Sequence, residues 1–397
     1  MKNSQERSKP ADVMRVLADA RPDELDPARL TESRRQQQDF VRIVAEPVDG
    51  RAARRPLRLR PLGAVALVAV AASVVVSVGT FDRQAPADPP ATQAPSGTAK
   101  TTVDGQIELL SAAKKAEAAP AGGTYWQTTT LAQYVDVAEA GGRYFAVRSA
   151  STDNWSVGVR PGTKSVMVSG LDAEVEPRTA ADEAVWKAAG SPHTLQVEAG
   201  QQSGTHKVAL KMGTGRPTVM RTDIGGKIYA VGPNNVTYQD LRALPSTSGE
   251  LRRYLEKLYA QDNGADGGAS GRSAWMLRQA GNLVTMPVKP GVRAAAYRLM
   301  AALPGVRVVG HVTDPLGREG VAVAFPGTYR TPLGTTQERL VIDPATGDML
   351  SDELLLVEPS ARAKAAGLKA GTAVNYQATS KMGWGERQIT VPNDARS

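Results

Sequence analysis

Three histidines, His193, His206 and His311, are the whole imidazole complement of this 397-residue chain. None stands at metal-ligand spacing from another histidine or from a carboxylate. His193 follows Ser191-Pro192 in a loop pattern, and the other two sit in or beside strand patterns. Each therefore reads as a structural or surface imidazole. Cysteine is absent, which excludes disulfides, thiolate metal sites, cysteine nucleophiles and the lipidated cysteine of a bacterial lipoprotein. No Gly-x-Ser-x-Gly occurs, so a serine nucleophile elbow has no support. The stretch "GVRPGTKS" at 158–165 ends like a phosphate loop, but Thr163 separates its last glycine from Lys164. A strand pattern, "VMVSG", follows it where a helix is required.

The acids give no better site. Asp314-Pro315-x-Gly317 and Asp343-Pro344-x-x-Gly347 place proline where φ must be near −65° and glycine where φ > 0 is needed, so both aspartates read as turn formers. "DNGADGGASG" at 262–271 has too few acids for a calcium loop and lacks its closing glutamate, which leaves a loop. Asp352 and Glu353 are neighbours on opposite faces of a strand pattern and cannot form an acid/base pair without help from elsewhere. Trp126, Trp155, Trp186, Trp275 and Trp384 fit either a core or the lining of an apolar cavity. The sequence thus presents no catalytic, cofactor-binding or metal-ligating residues, and the chain reads as non-enzymatic, without a cofactor.

Charge and hydropathy say more about address. The net charge is +8, and Arg51, Arg54, Arg55, Arg58 and Arg60 form an acid-free cluster. Without interleaved aromatics this cluster does not suggest a nucleic-acid partner. It stands directly before residues 62–81, twenty positions without a charge, which as a helix span roughly 30 Å, the thickness of a bilayer's hydrocarbon core. Ser77-Val78-Gly79 resembles a signal-peptidase site, but the preceding 61 residues and the long apolar core argue for a retained anchor. The arginines then stay inside. Residues 1–61 are expected in the cytoplasm, 62–81 in the lipid bilayer and the remainder outside the cell membrane.

Residues 1–61 carry short helical patterns, "ADVMRVLADA" and "ESRRQQQDFVRIVAEP", too small for a core of their own. They read either as a plain tail or as docking helices for a cytoplasmic protein partner. A Pro/Ala-rich linker occupies 82–103. An extracytoplasmic domain is expected over 104–385 and a disordered C-terminal tail over 386–397.

Within that domain, "VDGQIELLSAAKKAEAAP" is a helix with Leu109, Ala112, Ala113 and Ala116 on one stripe. From Gly123 the period becomes two: "TLQVE" and "HKVALKMG" alternate, while "VRVVGHVTDPLGREGVAVAF" and "RLVIDPATGDMLSDELLLVE" read as hairpins. Helices interrupt them at "TAADEAVWKAAG", at Thr247-x-x-Glu250 with its stripe Leu251, Tyr254, Leu255, Leu258 and Tyr259, and at "GVRAAAYRLMAALPG". Half-polar strands plus a few amphipathic helices predict an α+β fold: an antiparallel curved sheet, an open half-barrel, with helices packed on its concave side.

Taken with the single apolar run, "GGTYWQTTT", "RAAAYRLMAALPGVRVVG" and the Asp-Pro-Ala-Thr-Gly hairpin resemble a family of actinobacterial single-pass membrane-anchored proteins. That family has no assigned activity, so the likeness implies no functional residue. The outer domain is also similar in pattern to the periplasmic lipoprotein-carrier fold, shared by the co-regulator that binds an anti-sigma factor. The resemblance implies an extracytoplasmic ligand- or partner-binding domain, in an envelope sensor or anti-sigma-like regulator. The alternatives are a carrier or chaperone for lipidic molecules and, less favoured, a cell-wall hydrolase.

Overall fold

The computed structural model describes residues 103–159, 163–201, 204–222, 227–262 and 271–396. Residues 1–61, the apolar run at 62–81 and the linker up to 102 lie outside the described residues, as does the loop at 263–270. Among the described residues no helix is long and apolar enough to cross a membrane.

Two long strands organise the domain. β1 (Tyr125–Ala140) and β2 (Arg143–Gly158) pair antiparallel without a break, from Tyr125 opposite Gly158 to Ala140 opposite Arg143. Gly141 and Gly142, at φ +58° and +73°, supply the left-handed two-residue turn whose twist suits a hairpin. β3 (Ser165–Pro177) joins the other edge of β2. After it come the hairpin β4 (Thr194–Gln201) and β5 (Gly204–Lys211), then the short β6 (Gly213–Thr214) and β7 (Thr218–Thr222), which pair with β3. β8 (Tyr229–Val231) and β9 (Asn234–Val236) form a separate ribbon. The C-terminal half supplies β10 (Arg307–Thr313), β11 (Glu319–Ala324), β12 (Tyr329–Thr331), β13 (Gly334–Asp343), β14 (Asp348–Pro359) and β15 (Ala373–Gly385). The main sheet has 13 strands, runs β10-β11-β13-β14-β15-β1-β2-β3-β6 along its path, and is not closed. The α+β architecture and the antiparallel sheet are as the alternation predicts.

Seven helices complete the described chain: α1 (Val103–Glu117), α2 (Ala180–Ala188), α3 (Tyr238–Ala243), α4 (Ser248–Gln261), α5 (Gly271–Thr285), α6 (Pro290–Ala302) and α7 (Ala361–Ala365). The stripe Leu109, Ala112, Ala113 and Ala116 of α1 is buried, as are Leu251, Leu255 and Leu258 of α4, whose stripe partners Tyr254 and Tyr259 are half-buried against the same core. Thr247 caps α4 by accepting from the Glu250 N–H, but the Glu250 carboxylate takes the Thr247 hydroxyl at 2.7 Å rather than closing the box on the backbone. Reciprocal boxes form instead at Thr179–Asp182 and Thr237–Asp240.

α5 is deeply set, with Ala274, Trp275, Met276, Leu277, Ala280, Leu283 and Val284 all buried, and these residues form no narrow stripe in the sequence. Its last carbonyls are held by two other elements. Arg293 of α6, itself buried, donates to Val284 O at 3.0 Å and Met286 O at 3.1 Å, and the Trp126 indole of β1 donates to Thr285 O at 2.9 Å. A cation at a helix C-terminus is favourably placed against its dipole. The Arg293 guanidinium also lies 5.1 Å from the Trp126 ring centroid, tying α5, α6 and the sheet together.

Beyond β15, in the stretch expected as a tail, Ile389, Val391 and Ala395 pack against Val166, Val168 and Val219. Arg396 exchanges backbone hydrogen bonds with Pro217 and Val219. Three small apolar residues among many polar ones were too sparse a pattern to reveal this; a strand edge that needed covering decides it.

Gly347 shows how tightly the helices seat. At φ +76° it closes the β13–β14 turn, its carbonyl accepts the Tyr297 hydroxyl at 3.0 Å, and a Cβ there would meet Ala112 O and Ala116 N of α1 at 2.8 Å. Gly347→Ala is expected to lose at least about 1–2 kcal/mol, the penalty for the left-handed conformation alone, with the steric clash added. Chemical denaturation of the variant should show a lowered midpoint with an unchanged slope.

Candidate functional site

Pairing registers define which side chains share a face. In β1 the even-numbered residues lie with the odd-numbered residues of β2: Thr128 with Trp155, Thr130 with Asp153, Ala132 with Ser151, Tyr134 with Ser149, and Asp136 with Val147. β15 continues this face with Trp384 beside Trp126, Met382 beside Thr128 and Gln377 beside Ala132. Asp352 of β14 pairs with Gln377, and Leu340 of β13 pairs with Asp352. One face of the sheet therefore carries, from β13 to β2, the rung Leu340–Asp352–Gln377–Ala132–Ser151.

The two ends of this face are apolar and covered. At one end Trp126, Val157, Leu340, Ile342 and Met349 pack under the helices, with the ring of Tyr297 fully buried among them. At the other end Ala138, Phe145 and Val147 pack with Leu195 and Val197 of the β4–β5 hairpin, and with Val185 and Trp186 of α2. Between these clusters runs a polar strip: Thr128, Thr130, Tyr134, Asp136, Ser149, Ser151 and Asp153 are half-buried, and Gln377 is exposed.

The electrostatics of the strip follow its burial. Burial is the leading cause that lifts the Asp136 carboxyl to about 6, against the opposing pull of the Arg362 cation. Burial also raises Asp153, although the Ser169 hydroxyl and Gly170 N–H donate to it. Asp352 is held well above the usual carboxylate range, first by burial and then by the neighbouring Glu338 carboxylate. Burial raises the Tyr134 phenol too, beside Gln377 and Asp153. Each of these residues is half-buried. We call this half-buried polar strip between the two covered clusters the trough; burial disfavours the charged forms of its acids.

Its neighbouring cations are already paired. Arg278 of α5 meets Glu338 at 2.6 Å and lies 5.4 Å from the Phe325 ring centroid, while Arg362 of α7 pairs with Glu198 and donates to Val137 O at 2.8 Å. The Ser149 hydroxyl is buried without a hydrogen-bond partner. Such a floor offers hydroxyls, an amide, carboxyls and the ring of Tyr134, while Trp155 stacks on Tyr229 at its edge. It can hydrogen-bond a neutral or cationic ligand, whereas an anion would meet three acids and neighbouring cations that are already paired.

Asp352 and Glu353 do lie on opposite faces. Glu353, 2% exposed, receives Arg339 at 2.7 Å and the Ser351 hydroxyl at 2.6 Å in a closed, dry network. This network is structural, because every charge in it is satisfied away from water. Asp314 and Asp343 act as turn formers: each Oδ1 accepts a backbone N–H two residues on, from Leu316 and Ala345, and Asp314 also holds Arg318. His311 is exposed, with Nε2 3.9 Å from Glu108, and His206 has a buried Nε2 with no partner. Among the described residues no three His, Cys, Asp or Glu side chains come together to hold a metal ion. A cleft of 260 Å³ opens at the β1–β2 turn, between Tyr144, Lys207 and Arg362. It is smaller than the roughly 300–1,000 Å³ usual for small-molecule sites.

Of the tryptophans, Trp126 and Trp275 are core, and Trp155 is half-buried on the trough side of the face. The trough residues Tyr134, Asp136, Asp153 and Asp352 were not candidates from sequence. One signal was available: the even positions of β1 run Trp, Thr, Thr, Ala, Tyr, Asp, Ala, an inward pattern interrupted at its centre. Comparisons with protein-family models, with curated proteins and with solved structures each return no match.

The raised acids have a consequence for stability. The folded Asp136 binds its proton more tightly than the unfolded chain does, so stability is greatest below the unfolded value near 4 and is lost as pH rises through about 6. Asp153 and Asp352 act in the same direction. Asp136→Asn is therefore expected to stabilise the fold by about 1–3 kcal/mol at pH 7–8 and to change it little at pH 4. Urea midpoints of both proteins across that range check the sign.

Proposed function

We propose that this chain is a non-enzymatic, single-pass membrane protein whose extracytoplasmic domain binds a polar ligand or a partner's polar surface in the trough. The supporting observation is the strip of half-buried, hydrogen-bonding side chains left between two covered apolar clusters. Residues 62–81 would anchor the chain, residues 1–61 would remain inside and could pass a binding event to a cytoplasmic protein, and the domain from 104 would face outward. An envelope sensor or anti-sigma-like regulator is the specific form of this reading.

A carrier of lipidic molecules draws less support. The apolar parts of the sheet face are filled by the protein's own side chains, with Tyr297, Phe325, Leu283 and Leu299 at 1% exposure or less. A ligand on this face therefore meets polar groups first. A hydrolase would need an acid and a base converging on one bond, and Asp136, Asp153 and Asp352 are instead spread over three strands.

Photocrosslinking in living cells provides the test. A benzophenone amino acid in place of Ser151, on the trough floor, should capture a molecule that the same group at Lys364, exposed on α7, does not. Equal capture from both positions, or none from Ser151, would remove the trough as the binding surface.

A further inference from the structure

α1 is the first described element after the linker, and its two sides are unlike. One side, with Leu109, Ala112, Ala113 and Ala116, is buried in the main core. It is held there by Arg298 of α6 to Glu117 at 2.6 Å and by the Ser111 hydroxyl to Pro344 O. The other side presents Ile107 at 57% and Leu110 at 49% exposure, the two most exposed large apolar residues of the described chain. Lys114 is exposed at the next position along that stripe. Two apolar side chains followed by a lysine at i, i+3 and i+7 lie on one helix face.

We infer that this outward face of α1 rests on the surface of the bilayer in which residues 62–81 are anchored. The inference builds on the membrane-anchored reading above and names the surface that α1 meets. Covalent reach supports the choice of occupant. From residue 81 to Val103 the chain crosses about 22 residues, which even fully extended span no more than roughly 70–80 Å. With residues 62–81 in the bilayer, α1 would be tethered within that distance of its surface. Two half-exposed side chains would bind lipid too weakly to hold a free protein. A tether raises the effective concentration of the contact so that a weak one is populated. Ile107 and Leu110 would enter the headgroup–acyl boundary, and the Lys114 stem would lie along it with its ammonium among lipid phosphates. This contact would orient the domain, since α1 is rigidly packed on α6 and the sheet.

The absence of cysteine in the chain makes the test clean. Ile107→Cys, Leu110→Cys and, on α2, Lys187→Cys are made one at a time in the full-length protein. Each is reconstituted in phosphatidylcholine/phosphatidylglycerol vesicles and labelled with an environment-sensitive fluorophore. The label should shift to the blue and be quenched by brominated lipid at 107 and 110, and do neither at 187. Water-like emission at all three positions, with the protein floating with the vesicles, overturns the docking and leaves the anchor standing. Failure to float with vesicles overturns the anchor itself, and the inference with it. A blue shift at 107 without lipid quenching, together with disulfide-linked dimers of the unlabelled variant, would mean that a second copy covers the face, and it too overturns the proposal.

Discussion

β1 and β2 pair over sixteen rungs, and everything else in the domain is arranged around a sheet face too long for one layer of helices to cover. Strands of that length extend about 53 Å, whereas a fifteen-residue helix such as α5 is about 22 Å long. The helical layer covers one end of the face, and the β4–β5 hairpin with α2 covers the other. What lies between must meet water. Apolar side chains there would form a large exposed patch of the kind monomeric proteins avoid. The intervening positions of β1 and β2 are accordingly threonine, serine, aspartate and tyrosine, so the trough follows from the mismatch in lengths.

The charged residues are managed differently on the two faces. Glu353 points away from the trough and is closed in with Arg339 and Ser351, where breaking one partner would strand a buried charge. Asp352, the preceding residue, lies on the trough face beside Glu338, and burial holds its carboxyl well above the usual range. Adjacent carboxyls on one strand thus have unlike environments because a strand alternates its side chains between faces. The domain gives up some stability at neutral pH by holding Asp136, Asp153 and Asp352 where their charged forms are poorly solvated. Polar groups kept in such conditions are functional-site candidates on physical grounds.

The helical layer is secured by capping as well as by apolar contact. Arg293 and Trp126 satisfy the end of α5, and Tyr297 reaches across to the β13–β14 turn at Gly347. These bonds join residues far apart in the chain and hold one wall of the trough in place.

Much of the architecture was legible in the residues. Period-two alternation marked β4, β5, β10, β11, β13 and β14, the two Asp-Pro turns marked hairpins, and apolar stripes marked α1 and α4. These are local patterns, each set by a few neighbouring side chains. α5 was not legible because its buried residues, Ala274 to Leu277, Ala280, Leu283 and Val284, form no narrow stripe and no Pro-Gly pair closes it, and the contacts of the C-terminal residues were not because their partners, Pro217 and Val219, are distant in sequence. The trough was legible only as an interruption in the even positions of β1. Which acids share it, and which of them are closed away, depends on strand register and on where the helices stop. Tertiary structure alone decided those, because a carboxyl's environment is set by the elements that pack around it and not by its neighbours in the chain.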